Sequence, residues 1–349
     1  MSHSMDGQIK ITPGEKFALI ALPKVRVAES VTQITLRPGM FVTRDLPFAL
    51  AEQWQQWIGN IRSKELVEAG FYIVAKLRSS TPDVLDGENQ QLMKCVCMFL
   101  DSLLLVETPV CVTSPFLLTG TATANGFNVR QLAGMARPVR HAFNQTAIPR
   151  ELGEQDFCRA ASIYDVLSGI VIGSTHIRFK RALSVFLTGV HEARFDERLH
   201  QFCRCIDGIV LSGKGSGKRD FKSRTSLFIG SGHEEVADEI YEMRSAVEHL
   251  RPAEGEAVNS ANIRAQRMRV IERAIQTEII ARHCISQILL SSDLLQRFEN
   301  DDQIKKFWEL PESDRRKAWG GLSFDADLAQ AVDEQFVQEN DLGLQCSPL

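Results

Sequence analysis

Arg244 and His249 stand with four residues between them in Glu-Ile-Tyr-Glu-Met-Arg-Ser-Ala-Val-Glu-His, positions 239–249. An arginine and a histidine are the two groups a metal-free RNA-cleaving site needs. The imidazole moves a proton near neutral pH, and the guanidinium grips a phosphate through a planar fork of donors. An R-x-x-x-x-H spacing is common by chance, so its weight rests on the helix that carries it.

That helix is well signalled. Ser231, with Glu234 three residues on, reads as a capping box at its start. Val236, Ile240, Met243, Val247 and Leu250 recur as one apolar stripe, and Pro252 stops the run. At about 100° per residue, Arg244 falls on the shoulder of the stripe and His249 well outside it. His249 is therefore expected outside the core, in a last turn whose open carbonyls favour a cation. Five residues turn a helix by about 140° and raise it by about 7.5 Å, so one pair does not close on a single phosphate. Two copies across a two-fold axis would, and a homodimer is the expected assembly.

The remaining chain must position this pair. Its 349 residues, 44% hydrophobic and 24% charged, suit two domains better than one. A formal charge of −4 gives no bulk cationic character, so any RNA contact must come from a local patch. No stretch has the apolar length of a membrane span, and the opening lacks the basic-then-apolar order of a signal peptide. No membrane partner and a cytoplasmic location are expected. The eight cysteines make no C-x-x-C pair and the eight histidines no ligand spacing. Reduced thiols, no metal and no cofactor follow as expectations.

The expected fold class is α+β. Residues 1–150 read as a small mixed α/β domain whose role the sequence does not reveal, 151–300 as an all-α bundle, and 301–349 as short helices with an acidic tail. Positions 1–7 are expected to be disordered. Short strands are expected over 16–44, one helix over 46–68, a strand over 71–77 and a helix over 89–106. A strand or extended stretch follows at 109–119, then a loop over 120–126, rich in Gly, Thr and Ala. Helices are expected over 151–167, 175–193, 196–211 and 221–229, with a loop at 212–220 and a long helix over 261–290.

The helical half resembles an HEPN domain of the Apea-like branch. The resemblance covers residues 151–290. It rests on the 175–193 and 196–211 helix pair with Asp207 in an acidic position, on Arg224 after a basic break, on the Arg244/His249 motif and on the long helix that follows. Ser245, Leu250 and an Asp rather than a Glu at 207 depart from the branch's usual pattern. The resemblance implies a dimer in which two motifs face one another, and metal-independent endoribonuclease activity in phage defence, toxin-like or RNA-processing roles. It also implies that His249 moves protons, Arg244 stabilises phosphorane charge and Asp207 orients either one. Other members of the family keep the fold without cleaving, so a non-catalytic module binding RNA, a nucleotide or a protein is the alternative.

Plainer readings stand beside these. Arg244 and His249 could form surface ion pairs with Glu248 or Glu242, and Asp207 could be a buried acid satisfied by an arginine. Arg224 is expected in an ion pair inside the bundle. Gly208 with Gly213-Lys214 mimics a phosphate loop, but Gly215 stands where Ser or Thr should bind magnesium and the preceding element is helical. A flexible basic loop is expected instead, with Lys214, Lys218, Arg219 and Lys222 meeting RNA phosphates. Arg264, Arg267, Arg269 and Arg273 read as a solvated face of the long helix.

Overall fold

The computed structural model describes residues 9–109, 111, 113–124, 126–139, 151–211, 217–230, 233–249 and 260–320. The fold is α+β: an N-terminal antiparallel sheet, then helix after helix. Chain contacts divide it into two compact units. The first holds residues 1–138 and 149–165, the second 139–148 and 166–349.

In the first unit, β1 (Glu15–Ala21), β2 (Gln33–Arg37), β3 (Met40–Thr43), β4 (Tyr72–Arg78), β5 (Phe116–Thr123) and β6 (Gly126–Gly134) form one sheet in the order β2-β3-β4-β1-β5-β6. Every neighbouring pair is antiparallel. Central β1 is buried on both faces. Its alternate residues Phe17, Leu19 and Ala21 join Tyr72, Val74, Phe116 and Leu118 in one apolar core. Helices α1 (Glu52–Ile58) and α2 (Asn60–Glu68) cover that core through Ile58 and Leu66. Helix α3 (Gly87–Leu104) starts at Asp86, whose side chain accepts the Glu88 amide, and packs on β1, β4 and β5. Fully buried Lys16 pairs with Asp86 at 2.7 Å and Glu88 at 2.8 Å, beside that helix start.

Two expectations fail here. The single helix over 46–68 is two, broken at Gly59, whose φ of 87° lies where other residues are strained. The expected loop over 120–126 is instead β5 as far as Thr123, and Gly126 already opens β6. Gly120 admits the neighbouring strand, since a Cβ there would sit 2.2 Å from the Asn128 carbonyl oxygen.

Helix α4 (Glu154–Ile170) belongs to the first unit as far as Asp165. The second unit is a helical bundle. It comprises α5 (Ile177–His191), α6 (Phe195–Val210), α7 (Gly217–Ile229), α8 (Glu234–Glu248), α9 (Ser260–Leu290), α10 (Ser292–Arg297), α11 (Asp301–Glu309) and α12 (Glu312–Trp319). Helix α6 lies at the centre and packs against α5, α7, α8 and α9. Gly189 brings α5 against it: a Cβ there would lie 2.9 Å from the Phe202 ring. Fully buried Arg198 donates to the carbonyls of Gly189, Val190 and Glu192 at the end of α5, and to Glu278 on α9 at 2.5 Å. Burial opposes the charge on Glu278, yet Arg198 and Arg282 together hold its carboxyl below the usual range. The expected loop over 212–220 ends sooner than drawn, because α7 begins at Gly217 and takes in Lys218, Arg219 and Asp220.

Candidate functional site

Helix α8 carries the motif. It begins at Glu234 behind His233, which makes no side-chain cap; Ser231, Leu250 and Pro252 lie outside the described residues. Ala237 and Ile240 are its buried positions, facing the bundle. Arg244 sits beside that face, with its side chain 16% exposed. Its Nη2 lies 3.9 Å from Asp207 on α6 and 3.2 Å from Glu248 one turn along. The guanidinium carbon stands 5.5 Å from the centre of the Tyr241 ring, within cation–π reach. His249 is the C-cap residue, with an exposed side chain and its backbone N–H on the Ser245 carbonyl at 3.1 Å.

The structure thus joins Arg244 with Asp207 from a second helix and leaves His249 open at the helix end. Both plainer readings also have support: Glu248 does pair with Arg244, and Asp207 is half-buried beside an arginine. Asp207 Oδ1 and Arg244 Nε are buried with no protein hydrogen-bond partner. Two groups in one site with unused bonding capacity suit a polar ligand.

His200 was not foreseen. It lies on α6 with its Nε2 buried and unpartnered. Burial, then Arg204, pushes its pKa below the ordinary histidine value; Glu248 and Glu197 oppose this, and Arg244 adds to it. The neutral ring is therefore its resting form at neutral pH. The spacing held the signal: His200, Arg204 and Asp207 fall at i, i+4 and i+7, one stripe of α6. Cys203 between them is fully buried, and burial raises its thiol pKa far above the reactive range.

The expected RNA-binding residues are placed differently from one another. Lys214 lies outside the described residues. Lys218 pairs with Glu242 at 2.5 Å and Asp238 at 3.2 Å, and Lys222 lies 3.8 Å from Asp238, so α8 engages both lysines. Arg219 is 84% exposed, 3.8 Å from Asp220. Arg224 donates to the carbonyls of Val210 and Leu211 at 2.6 and 2.7 Å, closing the end of α6, and reaches Asp220 at 4.0 Å. Gly208 is inside α6, which removes the phosphate-loop geometry. Arg273 corrects the solvated-face reading. It is 8% exposed and, with Arg269, pairs with Glu239, tying α9 to α8. Cys203, Cys205 and Cys284 are buried free thiols, and among the described residues no His/Cys/Asp/Glu cluster could hold a metal ion. Among the same residues no helix is long and apolar enough to cross a membrane. No family model, no curated protein and no solved structure matches this chain.

Proposed function

We propose that this chain is a metal-independent endoribonuclease of the HEPN type, working as a homodimer whose two motifs share one cleft. The observation that carries the reading is the Arg244–Asp207 pair across α8 and α6, beside an open His249. His249 takes the proton from a ribose 2′-hydroxyl. The 2′-oxygen attacks phosphorus, and the bond to the 5′-oxygen breaks. That oxygen leaves with a proton from the imidazolium of the second copy. The products are a 2′,3′-cyclic phosphate and a 5′-hydroxyl. Arg244 stabilises the charge on the non-bridging oxygens, and Asp207 holds its fork in place. The first unit would select the RNA or sense a trigger, in a defence or toxin-like role.

The test is incubation with mixed RNA in EDTA. Cleavage leaving cyclic phosphate ends is expected. Arg244→Ala and His249→Ala should each abolish it, while light scattering still reports a dimer. A monomeric protein, or cleavage that survives both substitutions, defeats the reading.

One observation favours a second reading, that of a non-cleaving binding module. Glu248 lies closer to Arg244 than Asp207 does and would compete with a phosphate for the fork. Retention of RNA with no product over long incubation would select that reading.

A further inference from the structure

The second unit holds a cleft of about 520 Å³ between the start of α5, the middle of α6 and the α10–α11 turn. Three guanidinium groups line it: Arg178 and Arg181 from α5 and Arg204 from α6. Its rim is fixed. His176, at a left-handed φ of 58°, donates its backbone N–H to Glu299 and its Nε2–H to the Leu295 carbonyl at 3.1 Å. Arg178 holds Asp301 through two bonds of 2.7 Å.

The charge is unevenly used. Arg178 neutralises Asp301, which leaves Arg181 and Arg204 against Glu299. Among the described residues no carboxylate pairs with Arg181 or Arg204, and Arg204 makes one hydrogen bond, to Gln201 at 3.3 Å. Both side chains are exposed and free to turn toward a ligand. No aromatic ring lines the cleft, so nothing there stacks a base. Arginine forks without a stacking platform fit phosphate oxygens rather than nucleobases.

The cleft adjoins the Arg244 site. Gly208 lines it, one residue from Asp207. After the Asp301 bonds, and against desolvation, the Asp207 carboxylate also helps to keep Arg178 charged. Arg204 stands one turn from both His200 and Asp207 on α6. Through α6 the cleft's lining is thus continuous with Asp207, the residue that faces Arg244.

We propose that Arg181 and Arg204 form a phosphate-binding subsite that holds the sugar-phosphate backbone of single-stranded RNA flanking the Arg244–Asp207 pair, without reading its sequence. This deepens the function proposed above and rests on it for the identity of the strand.

The test is fluorescence anisotropy with a labelled 12-nucleotide single-stranded RNA in EDTA, on full-length protein carrying His249→Ala. Adding Arg181→Ala and Arg204→Ala together should weaken binding more than tenfold at low salt. It should also flatten the log–log salt dependence by about 1.4, two single-strand phosphate contacts at about 0.7 each. Unchanged affinity and slope, with an unchanged circular dichroism spectrum, overturns the subsite. Binding of ATP as tight as that of the 12-mer, lost in the same variant, overturns the RNA assignment in favour of a free nucleotide. The two proposals fail separately. RNA that is held through these arginines but never cut by the unmutated chain removes the nuclease and keeps the subsite; RNA that is cut while binding ignores both arginines does the reverse.

Discussion

The Asp207–Arg244 pair should be measurable whatever the chain does. At 3.9 Å, two unit charges attract by about 4 kcal/mol at an effective dielectric of about 20. The side chains are 16% and 29% exposed, and Glu248 shares the guanidinium. Screening and side-chain ordering should cut the net coupling to about 1 kcal/mol. Arg244→Gln should cost more than Asp207→Asn. It leaves a half-buried carboxylate whose Oδ1 already lacks a partner, a loss of about 2 kcal/mol. The double variant should lose less than the sum of the singles. Because the chain has two units, a global unfolding curve would mix them. Native-state hydrogen exchange at the amides of α6 and α8 reads the cycle locally. A coupling below about 0.3 kcal/mol would mean that the two side chains are neighbours without interaction, and the orienting role given to Asp207 would fall.

Two further outcomes concern stability. Glu278→Gln strands a buried arginine and should cost about 3 kcal/mol, seen as a lower melting temperature of the helical unit. The folded Glu278 pKa is depressed, so its contribution is full above the unfolded value of about 4.3 and fades as pH falls through the folded one. The variant's acid melting profile should therefore be flatter, and a profile parallel to that of the unmutated protein contradicts this. Asp101 on α3 behaves oppositely, since burial raises its carboxyl to about 6. Folding then binds a proton that the unfolded chain, at about 3.9, releases, so stability declines as pH rises from about 4 to about 6. Asp101→Asn should remove up to about 3 kcal/mol of that decline; equal melting shifts between pH 4.5 and 7 in the two proteins would refute it.

The helices of the second unit were legible because each carries its own apolar period and few Gly or Pro. Expected 196–211 and 261–290 became Phe195–Val210 and Ser260–Leu290. β6 was not legible: Gly126, Asn128, Gln131 and Gly134 carry no strand signal of their own, and only pairing with β5 makes them a strand. Arg244 and Asp207 could be named from sequence. The arginine cleft could not, because Arg178, Arg181 and Arg204 come from two helices that only the bundle brings to one opening. The pairing of Lys218 and Lys222 was hidden for the converse reason, since the acids that engage them lie one helix further on.

Helix α6 serves two masters. Its buried side locks into four other helices, while its polar stripe presents His200, Arg204 and Asp207. A rotation that would spoil the stripe must first dislodge Phe202, Ile206 and the clamped Arg198. Heat should therefore leave these side chains in register until the whole bundle gives way, with no intermediate in which the protein stays folded while its polar groups have drifted apart.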